Sequence, residues 1–362
     1  MKYYYLLIIS LLLTAFVMHG NSYRNKQYVI VACLLIYMIY GLRNTYWIGV
    51  DSRYSYVRAY DTLAAMSWDE FWNSSNQYNN AYYILNKLVH ELGGDYQLFV
   101  SLEALFVTVC FGRLIYQYSP SPIQSICYHL GLLFFVFHFS ALKQSFAMGF
   151  LMLAFDQIVK RKPIPFVLLV LIASQFHYPS LVFLPSYFIT MVKPGKSFLI
   201  LLAVVLALTY VFRNQLLNLM LDAYKGGEEE EATMEGITFF RTKSIIMLGI
   251  VAAAMIFRRP SPDDPVYGYL LEFMGIAVVF QTFCGYSNVF ERLADYYFQF
   301  SVVFIPMVFD RSKRDQALLN WRFMDIVYTL APILFSAYGI YRCLITFYGD
   351  YHFVPYRFFF QS

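Results

Sequence analysis

The chain is a series of long apolar blocks, without the strict alternation of a half-buried strand. A helix of about 20 mostly apolar residues crosses the hydrocarbon core of a bilayer. One pair of blocks, 164–176 and 180–192, is short and interrupted at residues 177–180, which fits two tilted spans or a re-entrant hairpin. In all, the pattern predicts about twelve membrane segments, near residues 3–18, 28–42, 96–112, 123–139, 144–159, 164–176, 180–192, 197–212, 244–257, 266–284, 294–309 and 325–347.

Composition narrows the class of protein. Of the 362 residues, 59% are hydrophobic and only 14% are charged, against roughly 25% charged in soluble domains. A soluble two-domain protein and a disordered chain are excluded. The net charge of +4 indicates no nucleic-acid partner, because basic residues in membrane proteins mostly report sidedness. We therefore predict an all-α, polytopic integral membrane protein with one transmembrane domain over residues 1–362.

The basic residues predict which segments face which side. Cytoplasmic loops carry the excess of lysine and arginine, and compact basic clusters fall in alternate loops under the twelve-segment count: Arg24 and Lys26, Arg113, Lys160 to Lys162, Lys193 and Lys196, Arg258 and Arg259, and Arg311 to Arg314. The other side holds the two termini and two long loops, 43–95 and 213–243, the second with the acidic run Glu228 to Glu231. These loops and termini are expected to face outward.

Some basic residues remain on the predicted outward side: Arg43, Arg53, Arg58, Lys143, Arg241, Lys243 and Arg292. Each could snorkel at a helix end or pair with an acid. Together they would line an outward cavity with positive charge, which suits an anionic ligand such as a diphosphate. Glu103 and Glu272 fall inside predicted segments and need partners or a wet cavity, because an isolated charge in a membrane is costly.

Four stretches on this side carry chemistry. Asp51, after a Gly49 bend, can cap a helix or act as a base on a hydroxyl. Lys143 and Gln144 are donors at a helix start, and Arg292 sits three residues before Asp295, with which it could pair. The fourth stretch places His177, a core residue or a functional one, beside prolines that interrupt the helix. The cysteines are far apart and predict neither a disulfide framework nor a metal site.

In this order the stretches resemble the EpsG family of bacterial Wzy-type polysaccharide polymerases. The matching pieces run G-L-R…G-V-D at 41–51, A-L-K-Q-S-F-A at 141–147, F-H-Y-P-S-L-V-F-L-P at 176–185, E-R-L-A-D-Y-Y-F at 291–298 and V-P-Y-R at 354–357. Lys143 stands where the family usually has arginine, so the charge is kept without the bidentate fork. No tyrosine role is taken from the family, because the spacing after Asp51 differs.

The resemblance implies an enzyme of the bacterial plasma membrane that joins glycan repeat units carried on undecaprenyl diphosphate, in exopolysaccharide, capsule or O-antigen synthesis. It also implies a chain-length regulator and a flippase as partners. We expect neither metal nor cofactor, because arginine and lysine can stabilise a departing diphosphate. The charged and aromatic residues themselves suggest the site roles: Arg43, Lys143 and Arg292 for the diphosphate, Asp51 or His177 as the base, and Arg53, Tyr54, Arg58 and Gln144 for the glycan.

Two other functions fit the sequence. A polytopic glycosyltransferase that uses a polyprenyl-phosphate sugar often carries an acidic pair in its first outward loop, and Asp69 and Glu70 would fit that role. A flippase for lipid-linked glycan is the second alternative. Transporters often show internal repeats of spans, and we see no repeat in this sequence.

Overall fold

The structure is a computed structural model. It describes residues 1–20, 22–49, 55–74, 80–191, 196–212, 215, 242–258, 260–261, 263–284, 288–313, 322–348 and 353–361. Across these ranges it is helical and contains no strand, so the all-α prediction is confirmed; the nearest thing to a sheet is an isolated bridge between Arg43 and Phe358. Most of the acidic 213–243 segment lies outside the described residues.

The helices follow the apolar blocks, and three more lie in the first long loop. In chain order they are α1 Lys2–Met18, α2 Ser22–Gly41, α3 Val57–Ala65, α4 Trp68–Asn73, α5 Ala81–Glu91, α6 Tyr96–Tyr118, α7 Pro122–Gly131, α8 Phe134–His138, α9 Leu142–Val159, α10 Pro163–Phe176, α11 Ser186–Ile189, α12 Lys196–Val211, α13 Thr242–Phe257, α14 Pro265–Gln281, α15 Asn288–Phe298, α16 Ser301–Val308 and α17 Arg322–Tyr348. Two 3-10 helices, Tyr178–Phe183 and Arg311–Lys313, complete the set for the described ranges.

The predicted number of spans is not confirmed. Within the described ranges, two helices are long and apolar enough to cross a bilayer, Tyr96–Tyr118 and Met324–Tyr348. Shorter apolar helices are Lys2–Met18, Pro163–Phe176, Tyr178–Ile189, Thr242–Phe257 and Pro265–Gln281.

Several predicted segments are broken helices. The 123–139 block divides into α7 and α8 at Leu133, which has a left-handed backbone with φ of 68°. The 294–309 block divides between α15 and α16, and the 180–192 block becomes a 3-10 helix followed by the short α11. The breaks contain Leu133, then Gln299 and Phe300, then Leu184 and Pro185. Because most of the surrounding side chains are apolar, hydropathy alone reads each block as one continuous segment.

Packing separates the chain into two compact units. The first comprises residues 1–157, 164–181 and 329–362, and the second comprises residues 158–163 and 182–328. In the first unit α2 lies against α1, α6 and α7. At one end of this unit Arg113 pairs with Asp156 at 2.6 Å, and Lys26 lies 4.6 Å from the ring centre of Tyr116. The predicted cytoplasmic residues of this unit thus lie near one another.

The opposite end of the first unit gathers the two termini and the start of the 43–95 segment. The carbonyl of Gly41, at the end of α2, accepts hydrogen bonds from Gln97 Nε2 at 3.1 Å and from Ser101 Oγ at 2.7 Å. Near the start of α1, the hydroxyl of Tyr4 donates to the carbonyl of Phe353 at 3.0 Å. This agrees with the predicted common side of both termini and the first long loop.

Three helices, α3 to α5, lie in the 43–95 segment, and α3 and α5 are amphipathic. The short α4 begins with a capping box: Ser67 Oγ accepts from the Glu70 backbone N–H at 3.2 Å, and Glu70 Oε2 accepts from the Ser67 backbone N–H at 2.7 Å. The bond from the Ser67 backbone is the main cause of a lowered pKa at Glu70. The buried Lys87 of α5 donates to the carbonyl of Met66, after α3, at 2.7 Å. The helices of this segment therefore make tertiary contacts with one another.

Two glycines bring α7 and α17 of the first unit into backbone contact. A Cβ added at Gly131 would lie 2.5 Å from the Cα of Gly339. Such close approach between helices requires small residues. We expect Gly131→Ala to destabilise the protein by about 1–3 kcal/mol, measured as thermal unfolding in detergent. The control is Gly249→Ala in α13, where an added Cβ meets nothing within 4 Å; equal unfolding temperatures for the two variants would refute the contact.

The second unit is built around α14. This helix lies against α12, α13, α15 and α16. Its Glu272, for which the sequence required a partner, is buried, and its Oε2 has no hydrogen-bond partner among the described residues. Near its start, Arg258 donates to the carbonyl of Met307 at 2.9 Å and also pairs with Asp264.

Candidate functional site

Lys143 lies in a group of tyrosines in the first unit. Its ammonium nitrogen is 4.5 Å from the ring centre of Tyr83, 5.9 Å from that of Tyr82 and 6.0 Å from that of Tyr56. Tyr82 and Tyr83 are in the first turn of α5, where the Asn80 side chain caps the helix by accepting from the Tyr83 N–H at 3.3 Å. The 43–95 segment thus brings aromatic rings to the ammonium group of Lys143.

The position of Lys143 on its helix indicates that its charge serves something other than helix stability. It is the second residue of α9, and a cation near a helix N-terminus opposes the helix dipole. The aromatic ring faces instead favour the ammonium group. The hydroxyl of Tyr82 is buried and has no hydrogen-bond partner in the described part of the chain. A half-buried cation beside a vacant donor and aromatic walls is suited to an anionic ligand carrying sugar rings.

The structure places Arg43 in the interior. The side chain is fully buried; Nη1 donates to the carbonyl of Tyr40 at 2.7 Å and Nη2 to the carbonyl of Phe139 at 3.1 Å. The guanidinium carbon lies 4.8 Å and 4.6 Å from the ring centres of Tyr40 and Phe139. The guanidinium therefore joins the end of α2 to the turn that precedes α9, and hence to the backbone that carries Lys143.

Next to Arg43 lies a buried network of hydrogen bonds that the sequence did not predict. The hydroxyl of Tyr40 lies 2.5 Å from Glu103 Oε2, which gives this carboxyl the partner that its position required. The same hydroxyl donates to the carbonyl of His138 at 2.8 Å, and His138 Nδ1 lies 2.7 Å from Ser145 Oγ in α9. Two signals in the sequence pointed to it: Glu103 inside a predicted segment, and His138 within an apolar block, which is a weak signal because such histidines are common in cores.

The other predicted residues of the first unit are placed as follows. His177 is half-buried just after α10, and Gln144 is buried next to Lys143 in α9. Arg58 is exposed on α3. The capping box gives Glu70 a structural role, which weakens the hypothesis of a catalytic acidic pair with Asp69. Asp51, Arg53 and Tyr54 lie outside the described residues.

Arg292 belongs to the second unit. It is half-buried in α15, one residue after Glu291. The predicted partner of Arg292, Asp295, pairs with Lys243 at 2.6 Å, and Lys243 also pairs with Glu291 at 2.9 Å. Two carboxylates thus surround a different cation from the one that the sequence suggested.

The described residues contain no group of three or more histidine, cysteine, aspartate or glutamate side chains that could hold a metal ion. The five cysteines are free thiols.

Fold and site together define a helical, membrane-associated protein with a cationic, tyrosine-lined site. The sequence model of the EpsG family matches residues 26–358, which is nearly the whole chain. The chain therefore belongs to the EpsG family, whose members are Wzy-like polysaccharide polymerases of the membrane. Comparison with curated proteins and with solved structures gives no match.

Proposed function

We propose that this protein joins oligosaccharide repeat units carried on undecaprenyl diphosphate, at the outer face of the bacterial plasma membrane. The observation that carries the proposal is the Lys143 site, built from two parts of a chain that matches the EpsG family over nearly its whole length. A repeat unit brings sugar rings and a diphosphate together. Tyrosine rings, which can stack on sugars, and a fixed cation are the groups that recognise those two parts.

The reaction is a glycosyl transfer. A hydroxyl oxygen of the acceptor repeat unit bonds to the anomeric carbon of the donor glycan, and the bond from that carbon to the diphosphate oxygen breaks. The diphosphate leaves with the electron pair, and the hydroxyl proton passes to a base, for which Asp51 and His177 are the candidates. Lys143 is proposed to stabilise the charge that develops on the diphosphate.

The proposal is tested with a strain that lacks the gene. We expect single, complete repeat units on the outer face and no ladder of longer glycans, with the ladder restored by the wild-type gene. The measurement is gel analysis of lipid-linked glycan together with mass spectrometry of the carrier-bound unit. Incomplete repeat units would instead indicate a transferase of single sugars, and complete units held on the inner face would indicate a flippase.

A further inference from the structure

The C-terminal tail, residues 353–361, is fixed to the first unit by backbone bonds. Asn44 N–H donates to the carbonyl of Arg357 at 2.9 Å, and Phe359 N–H donates to the carbonyl of Leu42 at 3.0 Å. The hydroxyl of Tyr356 donates to the carbonyl of Ile39 at 2.9 Å. The backbone of Arg357 therefore has a defined position next to the start of the 43–95 segment.

The side chain of Arg357 lies on an aromatic ring. Its guanidinium carbon is 4.7 Å from the ring centre of Trp47. Trp47 is 48% exposed, and Arg357 is half-buried. In the described ranges, no salt bridge and no side-chain hydrogen bond engages this guanidinium. Stacking holds one face of a guanidinium and leaves the N–H donors along its edge available.

Arg357 and the nearby Arg43 are therefore in opposite situations. The Arg43 guanidinium is buried and already bonded to two carbonyls, whereas the Arg357 guanidinium is partly exposed and bonded to none among the described residues. An arginine held in this way presents a planar set of donors that matches two phosphate oxygens. An exposed indole beside it can stack on a sugar ring.

We propose that Arg357 and Trp47 form a binding site for a lipid-borne phosphate, with Arg357 donating to phosphate oxygens and Trp47 contacting the adjoining group. If the phosphate belongs to the carrier of a repeat unit, the site is part of the substrate site, and this identification rests on the proposed function. An anionic phospholipid of the bilayer offers the same chemistry.

The test measures binding with the purified full-length protein in nanodiscs of phosphatidylcholine. The probes are undecaprenyl diphosphate and, separately, phosphatidylglycerol. We expect Arg357→Ala to weaken binding of the probe by about tenfold or more, and Arg357→Lys to weaken it less because the charge remains. Trp47→Ala should weaken binding in the same direction. The matched control is Arg342→Ala, which removes a half-buried arginine of α17 without a side-chain partner among the described residues.

Preference for undecaprenyl diphosphate over phosphatidylglycerol would support the substrate as the source of the phosphate. Equal competition by phosphatidylglycerol would support a phosphate site filled by the bilayer. Unchanged binding in Arg357→Ala, or an equal loss in Arg342→Ala, would overturn the site. Since binding is measured without polymerisation, a normal ladder in the deletion strain would overturn the proposed function alone.

Discussion

Replacing Lys143 with alanine is expected to reduce polymer synthesis by about 100-fold or more, because one fixed group aimed at developing charge contributes about 10²–10³ in rate. The fold should survive, since Lys143 is half-buried at a helix start that its charge does not stabilise. The measurement is the ladder of lipid-linked glycan in the deletion strain that expresses the variant, with the amount of protein in the membrane determined in parallel.

Two variants control this experiment. Lys143→Arg keeps the positive charge at this position, so we expect it to retain the ladder. Lys162→Ala removes an exposed lysine in the turn before α10 and should leave the ladder unchanged. A full ladder with Lys143→Ala, at normal protein level, would exclude Lys143 from the reaction.

The second large effect is expected at Arg43, and it is a loss of folding. Arg43→Ala leaves two buried carbonyls without their donors and opens a cavity between α2 and the turn before α9. We expect a loss of about 2–4 kcal/mol in the free energy of unfolding. The measurement is thermal unfolding of the purified protein in detergent, with protein level in the membrane as the cellular readout. We expect the free energy of unfolding of Arg43→Lys to lie between those of the wild type and Arg43→Ala, because one ammonium group cannot replace the planar guanidinium.

Comparing Lys143→Ala with Arg43→Ala distinguishes a role in the reaction from a role in folding. Lys143→Ala should give a stable protein that makes no polymer, while Arg43→Ala should lose polymer in proportion to the loss of folded protein. A stable, well-expressed and inactive Arg43→Ala protein would return Arg43 to the role of a diphosphate ligand.

The sequence predicted the helical class and the grouping of its ends, because long apolar blocks and the distribution of basic residues depend little on tertiary detail. It predicted the interruption at residues 177–180, which lies beside prolines, but not the breaks inside the 123–139 and 294–309 blocks. The turn at Leu133 is lined by leucine and phenylalanine, and its left-handed backbone leaves no trace in hydropathy.

The site was predicted only in part, because its contacts join residues that are far apart in the sequence. Lys143 was identified from its charge at an outward helix start, but its tyrosine neighbours come from α5 and from the residue before α3, more than fifty positions earlier in the chain. The buried role of Arg43 could not be inferred, since an arginine that binds backbone carbonyls and one that binds phosphate have the same sequence signature. Only the packing of the turn before α9 distinguishes them.

The attachment of the tail has a consequence for biosynthesis. The ribosome makes residues 357–359 more than three hundred positions after residues 42–44, so the contacts between them form only after the intervening helices have been synthesised. Closing so long a loop costs conformational entropy, although the cost rises only slowly with length. This end of the first unit is therefore completed late, and a nascent chain that stalls within α17 lacks the contacts that residues 357–359 make with residues 42–44.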